Sequence, residues 1–203
     1  WSRKDHFNFF SADSGSPFYD ITTYIDATNL YNYTKHNNIS FYYSLIWITT
    51  EVINKIKDFR YKIRGKDIII YDRLIPAFAD LKPGSELFHI VVIDFRGTMT
   101  EFANEAKILS MSQQTYFPKS IEEYEPDMLI QFSCLPWISF TSLSSEKSSD
   151  RDDSVPKITL GKYERIESKI RLPYSIQVNH RLVDGVHLGK FFNLLQNYIN
   201  NLN

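Results

Sequence analysis

Residues Ser175–Gly185 read S-I-Q-V-N-H-R-L-V-D-G, and the rest of the chain is read outward from them. Tyr174, Ile176, Val178 and His180 alternate, so a strand here puts all four on one face. Asp184-Gly185 is a turn signal. An apolar stripe follows at helical spacing, through Leu188, Phe192, Leu195, Ile199 and Leu202. The order strand, rim loop, helix leaves an imidazole at a sheet's rim, where functional residues concentrate. Three readings of His180 are open at this point. It is a satisfied strand-end histidine, a metal ligand with Asp184 and His187, or an acid–base residue. The metal reading is poor in ligands, with one cysteine and no second cluster.

With 203 residues, the expectation is one domain over 1–203 that buries a core without disulfide or metal staples. Aromatic residues make up 15% of the chain, which points to a large core, apolar pockets or interfaces. A net charge of −1 gives no reason to expect nucleic acid or an anionic membrane surface as partner. A single cysteine excludes an intrachain disulfide and suits a reducing, cytoplasmic compartment. No apolar run reaches the roughly 18 residues of a membrane span. The chain opens at Trp1 without Met, which leaves room for upstream residues.

Along the chain, Phe18–Ile25 alternates as a strand, and Asp26 is a candidate cap for a helix to about Lys35. Phe41–Ile56 and Thr100–Gln113 have helical stripes. Asp67–Asp72, with three isoleucines in a row, reads as a strand buried on both faces. Leu87–Phe95 and Asp127–Leu135 are further strands, and Lys157–Tyr163 with Lys169–His180 form a hairpin. Ser142–Ser154 is polar and is expected to be mobile. The pattern predicts mixed α/β, a two-layer sandwich of one large mixed sheet with helices mainly on one face.

Several motifs fall in one order along nearly the whole chain. They are W-S-R-K-D-H-F-N-F-F at 1–10, I-D-A-T near residue 25, F-S-C-L-P-W-I-S-F at 132–140, K-I-T-L-G-K-Y at 157–163, and L-P-Y-S-I-Q-V-N-H-R-L-V-D-G-V-H-L-G-K-F-F at 172–192. In this order they resemble the chloramphenicol acetyltransferases of the trimeric, histidine-based type. The resemblance implies that family's fold and acetyl transfer from acetyl-CoA to a hydroxyl, with antibiotic inactivation as the consequence. It implies a ternary complex without an acetyl-enzyme, and no metal. His180 is then the general base, Ser133 the oxyanion donor, and Thr159 holds a water beside the same intermediate. Asp184 pairs with Arg3 to anchor the histidine loop; a proton relay through Asp184 is the rival role. Trp137, Lys162 and Tyr163 fall at coenzyme-binding positions, and Phe9, Phe10, Phe88 and Ile90 at acceptor-binding ones. A homotrimer with active sites at subunit interfaces is implied as well. Each residue also has a plainer role: Ser133 a strand-end serine, Arg3 a solvated charge, Trp137 core, and Cys134 a small buried hydrophobe.

The match has departures. Asn179 stands where those enzymes carry the first of two histidines, and N-H-R-L-V-D-G leans toward the D-H-R-x-x-D-G motif of dihydrolipoamide acyltransferases. Phe10 stands where many relatives have tyrosine, and Ser142–Ser154 replaces an apolar acceptor-side segment. The alternatives are therefore a coenzyme A-dependent acyltransferase with another hydroxyl or thiol acceptor, and a non-catalytic coenzyme-binding relative.

Overall fold

The structure, a computed structural model, describes residues 1–12, 15–118 and 124–202. Strand β9 (Lys169–Asn179) organises it. On one side β9 pairs antiparallel with β1 (Phe18–Asp26). On the other it pairs with β7 (Lys157–Gly161) and, nearer its start, with β8 (Glu164–Ile166). Parallel pairs then carry the sheet through β6 (Leu129–Leu135) to β4 (Ile75–Leu81), and β5 (Phe88–Val92) closes the far edge antiparallel. The seven-stranded order is β1-β9-β7-β6-β4-β5, with β8 beside β9. The predicted hairpin is thus interrupted. The tight turn joins β8 to β9 through Glu167 at φ 54°, and β7 pairs with β9 further along.

The strand alternation splits the sheet into two unlike faces. Tyr174, Ile176 and Val178 of β9 join Ile158, Leu160, Ile130, Phe132, Phe78 and Val91 in one core. Helices α2 (Thr28–His36), α3 (Phe41–Lys55), α5 (Met99–Ser112) and α6 (Gly185–Asn200) contribute apolar residues to the same core. Helix α3 is buried on nearly every side, which is why its stripe is wide. Ser40 caps α3 through Tyr43 N, and Thr98 with Glu101 forms a capping box on α5. Asp26 acts one residue outside the expected position: Ala27 is the cap residue of α2, while Asp26 Oδ1 accepts from Thr28 N at 3.1 Å.

Other regions differ from expectation, the interior strand β4 among them, which the sequence pattern does not disclose. The isoleucine run forms β3 (Asp67–Ile70), which pairs with β2 (Tyr61–Arg64) after the short helix α4 (Lys57–Arg60), in a separate two-stranded sheet. Ile70 is 43% exposed there, because β3 has one partner strand and it is Ile68 that packs against the main core. The N-terminal stretch that carried no assignment is helix α1 (Lys4–Ala12).

Lys62 on β2 is completely buried, and its Nζ donates to Ser154 O at 2.7 Å. Burial, only partly offset by Asp127 and Asp153, pushes its pKa down to about 7. The unfolded amine keeps its proton to about pH 10.4. Between these values the unfolded chain binds more protons, so stability rises with pH from about 7 and levels off near 10. Wild type is therefore expected to melt at higher temperature at pH 9 than at pH 7. Lys62→Met should lack that rise, which amounts to a few kcal/mol in order of magnitude. Parallel melting curves at the two pH values check this; an equal rise in both proteins would exclude Lys62 as its source.

Candidate active site

His180 is the first residue past β9, and its N–H donates to Pro17 O at 2.8 Å, continuing the β1 pairing by one step. Its ring lies 4.0 Å from the Phe10 ring and 4.6 Å from the Tyr19 ring, centroid to centroid, and its side chain is 38% exposed. Nε2 is 3.2 Å from Asp184 Oδ1. Arg3 comes from the other end of the chain to clasp this loop. It forks onto both carboxylate oxygens of Asp184, with Nη2 to Oδ1 at 2.7 Å. It also donates to His180 O at 2.8 Å and Arg181 O at 3.1 Å. Arg3 is 8% exposed, so it is no solvated terminal charge. The Arg3 hydrogen bonds hold the Asp184 carboxyl below the usual carboxylate range, against desolvation.

Asp184 thus does two things at once, anchoring the loop and facing the imidazole. Arg3→Ala leaves that carboxylate and two carbonyls without their partner. Asp184 is partly exposed, so the stability cost falls below the roughly 3–5 kcal/mol of a fully buried pair. Denaturant melts with rates measured alongside should show both falling; unchanged stability would reject the anchor. His187, the third member of the metal reading, is engaged elsewhere: its Nδ1 accepts from Asp184 N at 2.9 Å and its Nε2 faces Asp58 at 3.4 Å. No group of three His, Cys, Asp or Glu among the described residues is arranged to hold a metal.

A second set of residues lies on the face of the sheet turned away from the core that α2, α3, α5 and α6 share. Ser133 stands opposite Thr159, Thr159 opposite Ser175, and Ser175 opposite Thr22, a polar row across four strands. A parallel row holds Gln131, Lys157, Gln177 and Asp20. Ala77 pairs with Gln131, Ala79 with Ile90 and Leu81 with Phe88, so Phe88 and Ile90 share this face with Ser133 and Thr159. Phe88 is 52% exposed and packs edge-on to Phe117. Cys134 points to the opposite face, and burial followed by the Asp80 charge pushes its thiol up to about 12.

The third set closes on a groove. Trp137, Lys162 and Tyr163 line a cavity of about 650 Å³ together with Arg165, beyond the ends of β6 and β7. Trp137 is 65% exposed, so it is not core. Tyr163 packs edge-on against Tyr31 and Phe41, and the Arg165 guanidinium lies 4.7 Å over the Tyr31 ring.

Within one chain these sets do not all meet. Thr159 stands opposite Ser175, five residues before His180 (180 − 175), which is about 16 Å along a strand. Ser133 is one strand further, so it lies about 10 Å sideways from β9 as well. Phe9 and Phe10 accompany His180 near β1, while Phe88 and Ile90 lie on the opposite edge strand. The expected acceptor residues are therefore divided between two sheet edges.

Tyr19 was not foreseen. It stands opposite Val178, on the face of His180, and its hydroxyl donates to Val183 O at 3.2 Å. Burial, then the Asp184 charge, pushes its pKa up to about 12, so it remains a donor. The β1–β9 register places it, and no single strand discloses a register. The Ser142–Ser154 segment also departs from expectation. Instead of hanging free it is tied down: Ser145 N donates to Asp20, and Asn179 and Arg181 bond residues 151–153.

The chloramphenicol acetyltransferase family profile matches residues 1–196. A chloramphenicol acetyltransferase of Staphylococcus aureus is 30% identical, over 98% of this chain and 95% of that protein. Chloramphenicol acetyltransferase 3 of Escherichia coli is 27% identical, over 98% and 93% respectively. A solved chloramphenicol acetyltransferase superposes with TM-score 0.83 at 22% identity, covering 98% of this chain and 95% of that one. Azotobacter vinelandii dihydrolipoamide acetyltransferase follows at 0.65 and 16%, covering 98% and 86%. Fold and relatives together define an acyltransferase. The chain belongs to the chloramphenicol acetyltransferase family.

Proposed function

We propose that the protein is an acetyl-CoA-dependent O-acetyltransferase, with chloramphenicol as acceptor, acting as a homotrimer in the cytoplasm. The observation that carries this is the clamped imidazole. His180 is half-exposed at a sheet rim, with Asp184 beside Nε2 and Arg3 fixing the loop. A proton on Nε2 satisfies that contact and leaves the lone pair on Nδ1, so Nδ1 takes the acceptor's hydroxyl proton. The hydroxyl oxygen attacks the thioester carbonyl in a ternary complex. Negative charge gathers on the former carbonyl oxygen, where the Ser133 hydroxyl donates and Thr159 holds a water. The C–S bond then breaks, and the imidazolium returns its proton to the departing thiolate. The acetyl thioester supplies the activated carbonyl. Lys162 and Arg165 bring positive charge to the groove, and Trp137 and Tyr163 offer ring faces, which suits a nucleotide bearing phosphates.

The separation of His180 from Ser133 within a chain is reconciled by assembly. One subunit contributes His180, Phe9 and Phe10, and its neighbour contributes Ser133, Thr159, Phe88 and Ile90. Exposed Phe9 and Phe88 then become pocket walls for an aromatic acceptor, gaining about 25 cal/mol per Å² buried. Two experiments test the reading. Thiol release from acetyl-CoA should depend on chloramphenicol; no release up to millimolar drug rejects the acceptor. Mixing inactive His180→Ala and Ser133→Ala subunits should restore about a quarter of the sites, since one half × one half of the interfaces in a ring carry both native residues. Failure of mixed subunits to recover any rate would reject sites built between subunits.

A second reading keeps the chemistry and changes the acceptor. It is favoured by the polar, tethered 142–154 segment and by Phe10, which offers no hydroxyl. An acceptor screen with the same thiol readout separates the two.

A further inference from the structure

The residues flanking His180 both reach away from the ring into the strap formed by residues 150–154. Asn179 is 4% exposed, and its Nδ2 donates to Arg151 O and Asp153 O, each at 2.9 Å. Its Oδ1 accepts from Arg181 N at 3.1 Å and Arg181 Nε at 3.3 Å. The amide therefore uses both donors and both lone pairs. Arg181 is 5% exposed; its Nη2 donates to Asp152 Oδ1 at 3.0 Å and to the Arg151 carbonyl. The strap's far end is pinned at Ser154, whose carbonyl accepts from Lys62 Nζ at 2.7 Å and whose hydroxyl accepts from Ile63 N at 3.1 Å. None of these bonds touches the imidazole.

We infer that Asn179 and Arg181 are positioning residues for His180, with the 150–154 strap as their fixed point. The inference rests on His180 being the base. Arg3 holds the carbonyls of His180 and Arg181 and the carboxylate of Asp184. Arg3 and Tyr19 hold the loop from the imidazole's side of the sheet; the strap holds the residues before and after His180 from the other side and removes the remaining hinge. A proton transfer needs heavy atoms about 3 Å apart, and a displacement of about 1 Å can cost a hundredfold in rate. The side-chain types fit this task. Aspartate at 179 has the same shape and still pairs with Arg181, but it aims lone pairs at the two strap carbonyls. Lysine at 181 keeps the charge and loses the fork that spans Asp152, the Arg151 carbonyl and Asn179.

The test compares Asn179→Asp, Arg181→Lys and His180→Ala with wild type in the intact assembly, using acetyl-CoA and chloramphenicol. Asn179→Asp is expected to lower kcat about ten- to a hundredfold with both KM values within about threefold, and Arg181→Lys somewhat less. A second readout needs no acceptor: the rate of His180 carbethoxylation, followed by peptide mass. Release of the loop should raise it by about threefold or more, while His89, 2% exposed, stays unmodified and reports that the fold is closed. Both readouts at wild-type level in Asn179→Asp overturn the inference. So does a kcat loss accompanied by His89 labelling, which means general unfolding. If His180→Ala turns over like wild type, the base reading fails and this inference falls with it. If His180→Ala is dead while Asn179→Asp and Arg181→Lys are normal, only the positioning role is lost.

Discussion

Replacing His180 with alanine is expected to reduce acetyl transfer by about four powers of ten, the upper end of what a positioned general base contributes. The reason is local. Among the described residues, the titratable side chains beside the ring are poor substitutes as base: Asp184 is engaged by Arg3, and Tyr19 keeps its proton to about pH 12. Coenzyme A affinity should stay within about twofold, because the aromatic and cationic groups of the groove lie beyond β6 and β7 rather than at the β9 rim. Calorimetry for coenzyme A and thiol release for turnover separate the two. Residual turnover above a tenth of wild type would remove His180 from the chemistry.

Ser133→Ala carries the second largest effect, a fall in kcat of about two to three powers of ten at nearly constant KM. An oxyanion donor contributes where charge develops, so its loss belongs in kcat. The substitution is structurally mild: the side chain sits half-buried on β6, opposite Thr159, and alanine fits the same strand. A rise in KM alone would show that the hydroxyl binds the acceptor in its ground state and would reassign the residue.

What was legible in the sequence tracks how local the signal is. The alternation at Tyr174–His180 and the stripe at Leu188–Leu202 each mark one element, and strand and helix are both present, ending at Asn179 and Asn200. The Arg3–Asp184 pair came from ordered motifs, and the two side chains do meet. The isoleucine run at 68–70 misled because composition does not reveal how many neighbours a strand will have. The 142–154 segment misled for a related reason. Its Ser and Asp content reads as solvated, yet its carbonyls are the acceptors that Asn179 and Lys62 require. Tyr19 became visible only through the register of β1 against β9, a relation between segments far apart in the chain.

The clasp between Arg3 and Asp184 joins residues 181 positions apart. Synthesis on the ribosome is vectorial, so Arg3 must wait, with its guanidinium unmatched, until residue 184 has emerged. Edge strand β1 waits too, since β9 is its partner. Closing so long a loop is slow, and the waiting strand is a natural client for chaperones. A nascent chain stalled before residue 169 has neither the partner for that strand nor the loop that carries His180 and Asp184, so strand and clasp close together once that segment emerges.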